Sequence, residues 1–201
     1  MLLSNTAIFE ALDDGRLVIS PEPSPRLPTI DAPKSPFNST AIDLTLGNRF
    51  SVPKDDLSIT IDVPSGNIVK TLKAIYEEKE VLDGDHFELP PGTFVLAQTR
   101  EKITLAGERR TDWNGKALVA ARVEGKSSFA RCGLLVHFTA PTIHCGFSGT
   151  ITLEMICLGR YPIKLKPGMA ICQLLIEEVV GDPQGYKSQF QEQSVPAGPS
   201  L

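Results

Sequence analysis

The sequence predicts a mainly β fold, a sandwich or a barrel, with one short helix at its N-terminus. Two observations carry this. Short segments alternate apolar and polar residues with period two, as in "TITLEMIC" (150–157), where Ile151, Leu153, Met155 and Cys157 share one side. Turn signals rich in Gly and Pro separate such segments at close intervals: "PPG" (90–92), "AGE" (106–108) and "KPG" (166–168).

The elements follow in order. Residues 5–13 suit a helix, with Ser4 or Asn5 as N-cap, Ile8, Phe9 and Leu12 on one side, and "DDG" as the stop. "RLVIS" (16–20) is strand-like, and the Pro-rich stretch 21–36 runs extended and irregular. "STAIDLTLGNRFSVP" (39–53) alternates from Ala41 to Leu46 and is expected to end at a Gly-Asn turn. Residues 63–84 are charged and peripheral, and ambiguous about a helical turn. In "PPG" and "KPG", Pro then Gly fits the two central positions of a type II turn. The polar stretch 181–201 has little periodicity and reads as a disordered tail after a single domain, 1–180.

A chain of 201 residues accommodates one sizeable core. With 41% hydrophobic and 22% charged residues and a net charge of -4, it is an ordinary globular composition with no general affinity for nucleic acid. No apolar run reaches the length of a membrane span and the N-terminus lacks the pattern of a secretory signal, so a cytoplasmic location is expected. Cys132, Cys145, Cys157 and Cys172 form no C-x-x-C pair and are expected to be reduced, mostly buried side chains. H-E-x-x-H and P-C-x-x-C patterns are absent, as are a G-x-S-x-G elbow and a P-loop. No resident metal or other protein-bound cofactor is expected.

Two places can carry chemistry. "EGKSSFARCGL" (124–134) gathers Lys126, Ser127, Ser128 and Arg131, two cations and two hydroxyls suited to a phosphate. A solvated turn with a surface ion pair explains the same residues. Glu154 sits on a mostly apolar strand: burial would disfavour its charged form and a cation such as Arg131 would favour it, a balance that suits a general base. A strand glutamate facing solvent or an arginine is the ordinary alternative. His137 in "LLVHFTA" reads as a satisfied core or interface histidine, and Phe147, on alternation, as a core aromatic.

The motifs "MLLSNTAIFEALDDGRLVISP", "STAIDLTLGNRF", "FELPPGTFVLAQTREKITL", "VEGKSSFARCGLLVHFTAPTIHCGFSGTITLE" and "GRYPIKLKPGMAICQL" together resemble the dCTP deaminase family, relatives of the trimeric dUTPases. The pairing of an "EGKSSxxR" loop with a "GxxGxIxLE" strand is the specific part. The resemblance implies a distorted, jelly-roll-like β-barrel and a homotrimer with sites between subunits. It implies zinc-free hydrolysis of dCTP to dUTP and ammonia, toward thymidylate synthesis, with Mg²⁺ carried by the triphosphate and dTTP a candidate inhibitor. It assigns Glu154 as the general base, Ser127 and Arg131 as groups positioning water and stabilising charge, and the Ala140 carbonyl as orienting the water or amine. Lys126, Ser127, Ser128 and Arg131 match its phosphate loop, and Phe147 its floor beneath the deoxyribose. Thr152 and Leu153 fall at substrate-binding positions, and a closing C-terminal segment would bring Tyr186, Lys187 and Gln191 to the phosphates.

One departure stands out. The family pattern I-D-x-G-[FWY] reads "IHCGF" here, with His144 where an aspartate handles the deoxyribose and, in relatives that also cleave the triphosphate, the attacking water. Histidine can still bond a sugar hydroxyl, which keeps His144 among the substrate-binding positions. The expectation is deamination alone. A bifunctional enzyme releasing dUMP and a non-catalytic nucleotide-binding relative are the alternatives.

Overall fold

The computed structural model describes residues 1–55, 57–62, 68–184, 193 and 195–197. Helix α1 (Asn5–Asp13) starts where Ser4, in extended conformation, accepts a hydrogen bond from the Ala7 N–H, and it buries Ile8 and Ala11. Strands β1 (Leu17–Ser20) and β2 (Ile42–Pro53) flank the irregular Pro-rich stretch. Helix α2 (Ile68–Ile75) runs into β3 (Tyr76–Glu80), followed by β4 (Phe87–Leu89) and β5 (Phe94–Leu105). Strand β6 (Val119–Gly125), the single-turn helix α3 (Ser127–Ala130), β7 (Leu134–Leu135) and β8 (Thr142–Ile143) lead to β9 (Ser148–Cys157). Strands β10 (Ile163–Leu165) and β11 (Ala170–Glu178) complete the set.

The main sheet is antiparallel in the order β7-β9-β5-β2-β11-β6-β8, with β1 added to β5 and β3 to β2. It curls into a half-barrel, and β10 and β4 pair separately. The expectation of a mainly β, barrel-like fold with a short N-terminal helix holds. The concave side is filled by alternate residues of each strand: Leu44 and Phe50 of β2, Val95 and Ala97 of β5, Leu153 and Met155 of β9, Leu174 and Ile176 of β11. Phe50 stacks on Phe87 with ring centroids 4.4 Å apart. No helix among the described residues is long and apolar enough to cross a membrane.

Both Pro-Gly turns form as expected. Thr93 N–H donates to Pro90 O and Met169 N–H to Lys166 O, each at 3.2 Å, with Gly92 and Gly168 at φ of 73° and 79°. The Gly-Asn signal at Gly47 is not a turn. β2 continues through it to Pro53, and a Cβ on Gly47 would lie 3.0 Å from the Gln98 carbonyl oxygen. The glycine answers a close backbone approach inside the sheet. The cysteines are free, but only Cys157 and Cys172 are buried; Cys145 is half-buried and Cys132 exposed, because the turn after α3 leaves it at the surface. Burial, with the Glu101 and Asp43 carboxylates nearby, pushes the Cys172 thiol far above the ordinary thiol range.

The register of β5 shifts against both neighbours near Gln98–Lys102. Buried side chains hold this irregular stretch. Thr99 Oγ1 accepts from the Ile151 N–H at 3.0 Å and donates to Glu101 O at 2.8 Å. The Glu101 carboxylate, 4% exposed, accepts from Thr45 N–H at 2.9 Å and from the Thr45 hydroxyl at 2.6 Å. Replacing Glu101 by Ala leaves both donors unpaired in the core and is expected to lower stability by about 3 kcal/mol in urea denaturation, with Glu101→Gln costing less. An unchanged unfolding midpoint in Glu101→Ala would show that the stretch is held by other contacts.

Candidate active site

Alternation along β9 decides which side chains reach the outer face of the sheet. Ile151, Leu153, Met155 and Cys157 turn inward, and Thr150, Thr152, Glu154 and Ile156 turn outward. The register with β5 sets Leu96 opposite Glu154 and Gln98 opposite Thr152. A cavity of about 470 Å³ opens over this face, lined by Glu154, Thr152, Ala140, His144 and Phe147. Its apolar wall comes from Leu72 of α2, Tyr76 of β3, and Phe94 and Leu96 of β5.

The loop between β8 and β9 is tied to the end of β5. Leu105 N–H donates to Phe147 O at 2.9 Å, Gly146 N–H to Leu105 O at 3.1 Å, and Phe147 N–H to His144 O at 3.2 Å. These bonds hold His144 and Phe147 at the cavity edge, and Phe147 also packs against the core. It is both the core aromatic of the alternation reading and a wall of the cavity. Burial raises the Tyr76 hydroxyl and the Cys145 thiol above their ordinary ranges, so both stay neutral near pH 7. A carboxylate among flat apolar walls and a few polar groups suits a planar heterocycle with exchangeable protons.

The nearest charge partner of Glu154 is His137, not Arg131. His137 Nδ1 lies 3.0 Å from Glu154 Oε2, with the two side chains 12% and 31% exposed. The contact has ion-pair distance without hydrogen-bond alignment, and neither Glu154 Oε2 nor His137 Nε2 has an aligned partner among the described residues. The pairing follows from sheet geometry. β7 sets Leu134 opposite Cys157 and Leu135 opposite Ile156, and continuing that register sets His137 opposite Glu154. This contact is not one that "LLVHFTA" read alone suggests. The signal that finds it is the antiparallel match of "LLVHF" with "TLEMIC".

The sequence-predicted residues divide into groups. Glu154, Ala140, His144, Phe147 and Thr152 meet at the cavity. Leu153 does not: its side chain is fully buried in the core, on the opposite face from Glu154. Lys126, Ser127, Ser128 and Arg131 lie outside this lining, around α3. Lys126 Nζ bonds Asp43 Oδ2 at 2.5 Å, so its charge is already matched, as the ion-pair alternative requires. Ser127, Ser128 and Arg131 are exposed, and Arg131 has no ion-pair partner among the described residues.

Tyr186, Lys187 and Gln191 lie outside the described residues. Gln193 and Pro196, further along the tail, line the cavity and went unnoticed in the polar C-terminal sequence. Gln193 Nε2 donates to Thr150 O at 2.7 Å, Thr150 N–H to Gln193 O at 3.1 Å, and the Thr152 hydroxyl to Pro196 O at 3.2 Å. These bonds pack Gln193 and Pro196 against β9. Among the described residues, no three His, Cys, Asp or Glu side chains gather as metal ligands.

Comparison with known proteins follows the same outline. A family model described as dCTP deaminase-like matches residues 2–179. A dCTP deaminase of Shewanella sp. (strain W3-18-1) is 37% identical over 184 residues, which is 90% of this chain and 86% of that protein. A dUMP-forming dCTP deaminase of Dictyoglomus thermophilum is 38% identical over 174 residues, covering 87% and 78% of the two chains. The crystal structure of 2'-deoxycytidine 5'-triphosphate deaminase from Agrobacterium tumefaciens aligns with a TM-score of 0.59 at 18% identity, a likeness of fold. It covers 89% of this chain, which spans about half (48%) of that longer one. From its motifs, its half-barrel and these matches, the chain belongs to the dCTP deaminase-like family.

Proposed function

We propose that this protein hydrolyses dCTP to dUTP and ammonia, with Glu154 as the general base. The observation that carries the reading is the Glu154 carboxylate on the cavity face of β9, beside Ala140, Thr152 and Phe147. Water adds to C4 of the cytosine ring while Glu154 takes its proton and passes it to ring N3. The second proton goes, again through Glu154, to the amine as the C4–N bond breaks and ammonia leaves. The Ala140 carbonyl orients the water. Phe147 lies under the deoxyribose, where a ribose 2′-hydroxyl would be crowded, and Thr152 and His144 complete the contacts. Magnesium arrives with the triphosphate as part of the substrate.

The polyphosphate is met by Ser127, Ser128 and Arg131, with Lys126 released from Asp43 or held as a second-rank contact. These residues lie outside the Glu154 cavity of their own chain. We therefore take the site to be shared between copies in a homotrimer, Ser127 and Arg131 reaching the cavity of a neighbour. Residues 1–180 form the catalytic domain and 181–201 a tail that closes over the nucleotide, with Tyr186, Lys187 and Gln191 near the phosphates. The bonds of Gln193 and Pro196 to β9 support that role.

Glu154→Gln and Arg131→Ala are each expected to lower kcat for dCTP by about 10²–10⁴. Refolded together in equal amounts, they should recover about one quarter of the parental activity, since that share of sites pairs an intact Glu154 with an intact Arg131. No recovery would place both groups in one subunit's site.

A second reading is that the protein also cleaves the triphosphate, as the name of the dUMP-forming Dictyoglomus relative suggests. His144, where an aspartate is expected, weighs against it. Chromatography of the nucleotide product separates the two: dUTP is expected, and dUMP with diphosphate from the first turnovers would overturn deamination alone.

A further inference from the structure

We propose that His137 is the positioning residue of Glu154, holding the carboxylate toward the cavity. The inference rests on reading Glu154 as the base. Three observations support it. His137 Nδ1 stands 3.0 Å from Glu154 Oε2. The β7–β9 register, continued two residues past the end of β7, brings His137 opposite Glu154, so the contact follows from the course of the chain leaving the sheet. His137 is nearly enclosed, at 12% exposure, and its Nε2 is buried without an aligned partner among the described residues.

The surroundings leave few competitors for this role. Tyr76 of β3 and His144 and Cys145 of the β8–β9 loop also line the cavity, and no lysine or arginine does among the described residues. Tyr76 and Cys145 are held neutral by burial. Leu96, opposite Glu154 on β5, offers no charge. Among the described residues, His137 lies 3.0 Å from the carboxylate with a ring nitrogen turned toward it.

The test uses the full-length protein and three substitutions. His137→Leu, which removes the ring nitrogens, is expected to lower kcat for dCTP about tenfold to a hundredfold with KM changed less than about threefold. His137→Asn, which keeps an N–H near the Nδ1 position, should recover part of kcat. Folded variants with wild-type kcat, a His137→Asn no better than His137→Leu, or a loss confined to KM, would overturn the proposal.

A second readout does not depend on turnover. The imidazole ¹⁵N resonances of His137, identified by their loss in His137→Asn, should change in Glu154→Gln while those of His86, exposed just before β4 and outside the cavity lining, stay in place. Unchanged His137 resonances would overturn the coupling even if the kinetics agreed. If the wild-type protein releases no ammonia from dCTP, the deaminase reading fails, and the resonances still decide whether Glu154 and His137 are coupled.

Discussion

The pairing of β5 with β9 is the constraint on which the rest of the site depends. Successive side chains on a strand face opposite ways, so a slip of one residue would send Glu154 into the core and Leu153 or Met155 into the cavity. The register is held by bonds that a slip would break. Thr99 accepts from the Ile151 N–H, and Glu101, through Thr45, ties the irregular part of β5 to β2. The Thr99 bond is buried and the Glu101 bonds partly so, where an unpaired donor is costly, so the register is specified by polar satisfaction as well as by apolar packing.

Glu154 gains its setting from this frame on both sides. Toward β5 it has Leu96 and the apolar wall; toward the segment after β7 it has His137. Where β9 runs beyond β7, its free edge is taken by the C-terminal segment, with Gln193 bonding Thr150 and Pro196 accepting from Thr152. The strand that carries the carboxylate is thus bonded along both edges, while the cavity above it is lined by distant parts of the chain.

What could be read in the sequence was local or periodic. Helix α1 was legible because its cap at Ser4 and its stop lie within a few residues of it. The facing of Glu154 was legible because alternation along β9 is unbroken. The same alternation puts the Leu153 side chain in the core, so that at this position only the backbone is left to face a ligand. The features that escaped depend on pairings between distant segments. His137 meets Glu154 only through the β7–β9 register, Lys126 is matched by Asp43 from another strand, and Gly47 follows from the approach of β5. Gln193 and Pro196 were invisible because a polar tail carries no periodicity that predicts where it docks.

The reaction proposed for the Glu154 cavity is deamination of a cytosine deoxynucleotide triphosphate. The most direct measurement is ammonia release by the purified protein from dCTP, CTP and dCMP side by side. The account predicts rapid release from dCTP, with CTP and dCMP at least about tenfold poorer in kcat/KM, the first through crowding at Phe147 and the second through loss of the polyphosphate contacts. Tight binding of dCTP with no ammonia released, or equal release from all three, would contradict it.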